Sequence, residues 1–270
     1  MHTPLCQHAV GEPEAYAAQA ARNGLKGIIV TCHNPLPNGL EAGTRMHAAE
    51  FGHYLELVDR AKNAMAGTVD VRLGLECDYL PGLEGWLEEQ LSSAKFDYVL
   101  GSVHPHLGMF REAYWTGDPV AYQEVYFDRL ADAAETGLFD ALAHPDLVKN
   151  VTASSWSVEK ILDRVRSSLD RIAASGCALE LNTSGLNKRV AEMNPGPQIL
   201  AEARLRDIPV VVGADAHTPE RVGDRFDVAF EALADAGYRS VSLFLGRQRQ
   251  ELPLDAVRLD AVRRSAEARS

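Results

Sequence analysis

The chain has 270 residues, of which 46% are hydrophobic and 24% charged, proportions that are ordinary for a soluble globular protein. This length is enough to bury the core of one large barrel or of two modest domains. The formal net charge is -11 and the pI about 5.3, which argues against non-specific binding to nucleic acid or to a membrane surface, since both need a basic face. No stretch approaches the ~20 continuous apolar residues of a membrane span, and no signal peptide is visible.

Four cysteines, Cys6, Cys32, Cys77 and Cys177, are scattered along the chain without CxxC spacing. This spacing disfavours both a zinc knuckle and a disulfide scaffold. We therefore expect reduced thiols in a cytoplasmic protein.

Helical and apolar segments alternate along the chain. A helix is predicted over 12–23, ended by Gly24, and the apolar run 28–30 follows it as a buried strand. Six more strands are predicted in the same way, at 71–75, 98–103, 141–143, 178–181, 210–212 and 241–244. Short apolar strands that alternate with helices predict a parallel α/β sheet buried on both faces, as in a barrel or a doubly wound sheet.

The chain has no low-complexity linker that would divide it. We therefore predict one domain over 1–270. Its charged end, about 251–270, is expected to form a tail or a surface helix.

Histidine and carboxylate side chains directly follow five of the predicted strands. They are His33 after the first strand, Glu76 and Asp78 after the second, His104 and His106 after the third, His144 and Asp146 after the fourth, and Asp215 and His217 after the sixth. Side chains at this end of parallel strands converge in barrels and in open α/β sheets. One histidine after a strand would be weak evidence, but this clustering predicts a site. His47 and His53 fall outside the pattern.

The mixture of side chains narrows the chemistry of this site. Neutral imidazole and carboxylate together suit zinc, iron or manganese, whereas calcium and magnesium prefer all-oxygen shells. With His2 and His8 the chain offers more potential ligands than the three or four that one zinc ion uses, so we predict two or three ions with Glu76 bridging a pair. Such ions hold phosphate oxygens, lower the pKa of a bound water and neutralise a leaving alkoxide, and hydrolysis of a phosphate ester uses all three effects.

Two other kinds of enzyme are poorly supported. A serine hydrolase is disfavoured because the chain has no GxSxG elbow. A dinucleotide enzyme is disfavoured because no GxGxxG follows the first strand.

Six short motifs resemble, in their order, those of the polymerase and histidinol-phosphatase (PHP) superfamily. They are the run 2–9, Thr31-Cys32-His33, Glu76, the run 101–104, the run 143–146 and the run 213–217. The resemblance extends from the first residue to about Gly223. Within the superfamily, the phrases His-Thr-Pro-Leu-Cys and Gly-Ser-Val-His are similar to those of the histidinol-phosphatases.

The resemblance implies a distorted TIM-like (β/α)₇ barrel with a trinuclear metal centre. The implied ligands are His2, Glu76 and Asp215 for one ion, Glu76, His104 and His144 for a second, and His8, His33 and His217 for a third. The implied reaction is hydrolysis of L-histidinol phosphate in histidine biosynthesis. The catalytic roles fall to Glu76, Asp215 and His217, with Asp215 or a neighbouring histidine assisting proton transfer to the leaving oxygen.

The chain departs from the family pattern at two positions. The first motif of the family is His-x-His, but here Met1 occupies the middle position, so the first ion lacks a ligand. Either the start is misassigned, or a real truncation impairs this metal site. Cys32 stands where the family has aspartate, and it is either a weak hydrogen-bond partner or a thiolate ligand.

These departures leave two further functions open. The barrel could act on another small phosphate ester, because fold and metals do not determine the leaving group. It could also be a degenerate barrel that binds metal or a partner without turnover. The sequence does not determine whether the chain forms a homo-oligomer.

A phosphate ester brings negative charge to an acidic protein, so cations other than the metals are expected at the site. The candidates for substrate binding are Arg45, His106, Lys149, Lys188 and Arg189. For the lysines and arginines, the alternative is a solvated cation on the surface. For His106, the alternative is support of a metal ligand. Asp78 and Asp146 are expected to support neighbouring histidines. Glu180 and Asn182 are expected to close the barrel or to support a ligand.

Overall fold

A computed structural model of the chain describes residues 1–257. The strands are β1 (Gly27–Val30), β2 (Asp70–Asp78), β3 (Tyr98–Ser102), β4 (Ala141–Leu142), β5 (Ala178–Asn182), β6 (Val210–Gly213), β7 (Ser240–Leu245) and β8 (Gln248–Pro253). The helices are α1 (Pro13–Arg22), α2 (Phe51–Ala64), α3 (Glu84–Ser92), α4 (Gly108–Tyr114), α5 (Pro119–Glu135), α6 (Val148–Val151), α7 (Val158–Ser175), α8 (Pro197–Leu205) and α9 (Phe226–Asp235). Within the described residues, no helix is both long enough and apolar enough to cross a membrane.

Strands β1 to β6 form one parallel sheet in chain order, each paired with the next. The first two residues lie between its two ends. Thr31, after β1, donates its N–H to the Met1 carbonyl at 2.8 Å, and His2 donates its N–H to the Ala216 carbonyl, after β6, at 3.0 Å. The sheet is therefore curled enough for one dipeptide to connect its edges, which confirms the predicted α/β fold of the distorted barrel type.

Helix ends agree with the glycine signals. Helix α7 buries Ile161, Val165, Leu169 and Ile172, a spacing of three and four residues that puts them on one face. It ends at Gly176, whose φ of 75° lies in the left-handed region that favours glycine. These apolar faces pack the helices against the sheet and leave the strand ends free to carry polar side chains.

Strand β2 continues to Asp78, beyond its predicted end at residue 75. Its register with β3 pairs Glu76 with Leu100 and Asp78 with Ser102. Because side chains alternate along a strand, Glu76 and Asp78 point to the same face of the sheet. Both are buried, so a rigid strand rather than a loop presents these carboxylates.

The prediction that the seventh strand joins the parallel sheet is wrong. Strand β7 pairs antiparallel with β8, from Ser240 opposite Pro253 to Leu245 opposite Gln248. The chain reverses at Gly246 and Arg247, whose φ values are 56° and 61°. The residues of β8 are exposed and carry no apolar alternation, so their pairing could not be predicted from the pattern.

The predicted tail therefore begins within a strand, because residues 251–253 belong to β8. Residues 258–270, the remainder of that predicted tail or surface helix, lie outside the described residues.

Candidate metal centre

Glu76 lies at the centre of the predicted ligands. Its Oε1 is 3.1 Å from His144 Nε2 and 3.4 Å from His104 Nε2. Its Oε2 is 3.4 Å from His2 Nε2, and this same nitrogen is 3.0 Å from Asp215 Oδ1. One carboxylate thus faces two separate groups of nitrogen and oxygen atoms, as a bridging ligand must.

Backbone pairing places His33 beside Glu76. The chain after β1 continues to pair with β2. Glu76 donates its backbone N–H to the Cys32 carbonyl at 3.0 Å, and the Glu76 carbonyl accepts the Asn34 N–H at 2.9 Å. The buried Tyr54 hydroxyl of α2 donates to the Val30 carbonyl of β1. The ends of the first two strands are therefore held in register where they enter the site.

The other rings form a continuous group on the side of the N-terminal segment. The ring centroids of His2 and His217 are 4.0 Å apart, those of His8 and His217 4.5 Å, and those of His8 and His33 5.4 Å. The structure thus brings together all six predicted histidines, Glu76 and Asp215. Their roles as ligands stay a prediction.

Three histidines are oriented through Nδ1, which leaves Nε2 for the site. His104 Nδ1 is 2.5 Å from Asp78 Oδ1. His8 Nδ1 is 2.6 Å from the Cys6 carbonyl, and His217 Nδ1 is 3.0 Å from the Asp215 carbonyl. Such partners determine the tautomer and direction of a metal-binding imidazole.

The donor set fits divalent cations. Among the described residues, the buried His2 Nδ1, His33 Nδ1, His144 Nδ1 and His217 Nε2 have no hydrogen-bond partner. A buried polar atom without a partner is costly, and a cation at the centre would satisfy His33 Nδ1, 3.9 Å from Glu76 Oε1, and His217 Nε2. Burial and the nearby His2 lower the pKa of His217 to about 4, so its ring is neutral, the form that binds metal.

The two carboxylates are held in their charged form. Burial would raise the pKa of Glu76, but His33 and the hydrogen bonds with His144 and His2 hold it well below its ordinary value. Burial would likewise raise the pKa of Asp215, but its hydrogen bond with His2 and the nearby Lys188 ammonium hold it low. The centre therefore offers anionic oxygen beside the neutral ring of His217.

Glu180 supports the loop that carries His144. Its Oε2 accepts the His144 N–H at 2.9 Å and a hydrogen bond from the Asn182 amide at 2.8 Å. His144 has a φ of 30°, an uncommon value that surrounding contacts must maintain. A side chain at Gly213 would clash with this support, since a Cβ there would lie 1.8 Å from Glu180 Oε1. The structure thus gives Glu180 and Asn182 the expected supporting role.

Arg45 lies behind the site instead of reaching into it. Its side chain is 2% exposed and its guanidinium forms an ion pair with Asp78, the carboxylate that orients His104. The residue forms part of the cavity wall, but its charge is already neutralised there. This does not support the prediction that Arg45 binds substrate, and its contacts assign it to the support of His104.

We predict that replacing Arg45 with methionine weakens metal binding by about 10–100-fold, the usual effect of losing a group that supports a metal ligand. Asp78 would keep His104 as a partner, so the site should survive with a less well oriented imidazole. Metal titration of both proteins, followed by measurement of KM at saturating metal, checks this expectation. A raised KM with unchanged metal affinity would instead show a substrate contact.

Lys149 is also withdrawn from the site. Its ammonium is fully buried, 3.1 Å from Asp146 Oδ2 and 2.7 Å from the Met193 carbonyl. Arg189 is exposed and does not line the cavity. The structure therefore does not support the predictions that Lys149 and Arg189 bind substrate.

A cavity of about 640 Å³ opens above the centre. Its wall includes the predicted residues His106 and Lys188. Lys188 Nζ is 3.7 Å from Asp215 Oδ2, and Ser184 Oγ donates to the same oxygen at 3.3 Å. Arg221 lines the cavity too and was missed; its place four residues after His217, in the same loop, was the available signal.

Cys32 is fully buried beneath the N-terminal segment. Its sulfur accepts hydrogen bonds from the Thr3 N–H at 3.4 Å and from the Thr3 hydroxyl at 3.2 Å. These contacts are those of the weak hydrogen-bond partner, one of the two roles considered for this residue.

Known proteins are similar to this chain in sequence and in fold. The PHP domain family matches residues 1–184. A Deinococcus radiodurans protein named as a probable histidinol-phosphatase is 39% identical over 249 residues, which cover 90% of this chain and 94% of that protein. The histidinol-phosphatase of Bacillus subtilis is 28% identical, over 86% of this chain and 97% of its own length.

One solved structure shares the fold at low sequence identity. It is the histidinol phosphate phosphatase of Lactococcus lactis, solved in complex with zinc, L-histidinol and phosphate, with a TM-score of 0.77 and 18% identity. The match covers 93% of this chain and 97% of that one. The chain belongs to the PHP family, and within it to the divalent-metal phosphatases of the histidinol-phosphatase group.

Proposed function

We propose that this chain hydrolyses L-histidinol phosphate to L-histidinol and phosphate. The observation that carries the proposal is the position of Glu76, with His104 and His144 at one carboxylate oxygen and His2, which also contacts Asp215, at the other. This arrangement suits a pair of cations that share one carboxylate. The choice of substrate is supported by relatives that are named for this reaction and are similar to this chain over most of their length.

We infer that two or three divalent ions, zinc, iron or manganese, occupy the centre. His2, Glu76 and Asp215 would hold the first, and Glu76, His104 and His144 the second. His8, His33 and His217 would hold the third. When bound, such ions hold phosphate oxygens, lower the pKa of a water and neutralise the leaving oxygen.

The chain's own side chains would position the phosphate and move the proton. Lys188 lines the cavity and would pair with phosphate oxygens at its mouth, whereas Arg221, which lines it too, already pairs with Asp224 at 3.0 Å. Asp215 is held as a carboxylate, and its Oδ2 lies beside Lys188. We assign to this oxygen the transfer of a proton from the attacking water to the leaving oxygen, with His217 orienting the same loop.

The leaving group would contact the apolar residues that line the cavity. Leu107, Leu147 and Val151 also line the cavity, as does His106, whose ring centroid is 5.3 Å from that of His104. An apolar wall with one polar ring suits the imidazole of histidinol.

Phosphate release from several esters tests the proposal. Histidinol phosphate is compared with sugar and nucleotide monophosphates after the protein has been loaded with zinc, manganese or iron. Strong preference for histidinol phosphate is expected. Equal rates with all esters would indicate a different phosphoesterase, and no release by a metal-loaded protein would indicate a degenerate barrel.

We predict that replacing Lys188 with alanine lowers kcat/KM by about tenfold, since one charge-assisted hydrogen bond contributes about 1.5–3 kcal/mol and this side chain is partly solvated. The neighbouring variant Arg189→Ala is the matched control, because that side chain is exposed outside the cavity. Equal losses in the two variants would contradict a specific phosphate contact at Lys188.

A further inference from the structure

The third cation position has a closer set of ligand atoms than the three histidines. The rings of His33 and His217 are 6.2 Å apart between centroids, against 4.5 Å for His8 and His217. One ligand atom from each of Cys6, His8 and His217 lies within 4.8 Å of the other two. His33 groups equally closely with His2 and His217, and also with Glu76 and His104. The described residues contain no equally close set of His8, His33 and His217, so the sulfur of Cys6 is better placed than the ring of His33 to join the pair His8 and His217.

The local backbone presents Cys6 and His8 together. The turn Pro4–Cys6 is followed by Gln7 with a φ of 66°, which reverses the chain between the two side chains. His8 Nδ1 contacts the Cys6 carbonyl and His217 Nδ1 contacts the Asp215 carbonyl, so Nε2 of both rings is left for a ligand. His217 Nε2 is buried and has no hydrogen-bond partner within the described part of the chain.

We propose that Cys6 binds a divalent ion through its sulfur, together with His8 and His217. The ion displaces the thiol proton to solvent and forms a metal–sulfur bond. A site with one thiolate and two imidazoles favours zinc over manganese, because sulfur is a soft ligand. The inference rests on the proposed third cation of the phosphatase centre.

Cys32 is the other sulfur nearby, and its geometry suits it less. It groups closely with His2 and Cys6. An ion there would need a nitrogen of His2, whose Nε2 already faces Asp215 and Glu76, so this ring would have to bridge two ions. The Cys32 sulfur also accepts two hydrogen bonds from Thr3. These contacts occupy Cys32 and leave Cys6 as the sulfur available to a cation.

Cobalt substitution tests the proposal without measuring activity. The full chain is loaded with Co²⁺ until no more binds, and absorption is recorded in the near ultraviolet, where thiolate-to-cobalt charge transfer appears. The band is expected in the unmodified protein and in Cys32→Ser and Cys177→Ser. The band is expected to disappear in Cys6→Ser. In this variant a competing chelator is expected to release the weakest-bound ion at a concentration at least about tenfold lower than in the unmodified protein. Cys177 is the matched control, a buried thiol that contacts the Phe139 carbonyl away from the centre.

A fully cobalt-loaded chain without the band would overturn the proposal, as would a band that is lost in Cys32→Ser and kept in Cys6→Ser. If Cys6→Ser does not fold, zinc X-ray absorption on the unmodified chain and Cys32→Ser provides the decision. A sulfur shell at about 2.3 Å in both supports Cys6, and its absence from either rejects it. Phosphate release is scored separately, so hydrolysis without a sulfur signal rejects the Cys6 ligand and leaves the proposed function intact.

Discussion

Replacing Glu76 with glutamine is expected to lower kcat/KM for phosphate release by at least about 1000-fold. The substitution keeps the shape of the side chain but removes the charge that faces His2 on one side and His104 and His144 on the other. If Glu76 holds two ions as proposed, its loss would weaken both, and stabilisation of the transition-state charge by such ions would contribute several kcal/mol. At 1.4 kcal/mol per factor of ten, a loss of about 4 kcal/mol corresponds to the expected factor.

The measurements are steady-state phosphate release and metal content of the purified variant. Glu88→Gln is the matched control, because Glu88 is an exposed glutamate of α3. Circular dichroism of both variants checks that the fold is retained. A Glu76→Gln protein that keeps its metals and loses less than about tenfold in rate would show that Glu76 does not bridge.

Replacing Lys149 with methionine is expected to lower the free energy of unfolding by about 3–5 kcal/mol, because it leaves the buried Asp146 carboxylate without its cation. Both side chains of this pair are 0% exposed. Asp146 also accepts hydrogen bonds from the Asn194 amide and the Gly196 N–H, so an unpaired charge there disturbs the loop that follows His144. Denaturant unfolding monitored by fluorescence provides the measurement.

Lys188→Met is the matched control for this prediction, since Lys188 is a partly exposed lysine at the cavity mouth. It should change stability little while lowering kcat/KM. The double variant Asp146→Asn/Lys149→Met removes both buried charges and is expected to recover part of the lost stability. A stable Lys149→Met protein with a raised KM would contradict the structural role and return Lys149 to substrate binding.

The strand pattern of this chain could be predicted because each strand of the parallel sheet is a short apolar run. All seven predicted strands are present, although β2 extends from the predicted 71–75 to Asp70–Asp78. The pairing of β7 with β8 was missed because β8 is exposed on both faces. A strand held only by backbone hydrogen bonds shows no alternation of apolar and polar residues in the sequence. Hydrophobic burial is visible in a sequence, whereas the partner of a polar edge strand is not.

The sequence could not show which lysine and arginine side chains enter the site. Arg45, Lys149, Lys188 and Arg189 all fall in loops at the strand-end side, and sequence alone does not separate them. The structure buries the first two against Asp78 and Asp146, places Lys188 in the cavity wall and exposes Arg189. The difference depends on carboxylates distant in the chain, which only folding brings within ion-pair distance.

The position of histidine and carboxylate after successive strands was determined by the sequence itself. Parallel strands carry their final residues to one edge of the sheet, so this order alone predicted a shared site for His33, Glu76, His104, His144 and Asp215. The tertiary structure alone decided how these side chains are grouped. It placed Glu76 between two groups of ligand atoms and turned Cys6 toward His8 and His217, because curling of the sheet and the reversal at Gln7 set distances that no spacing along the chain specifies.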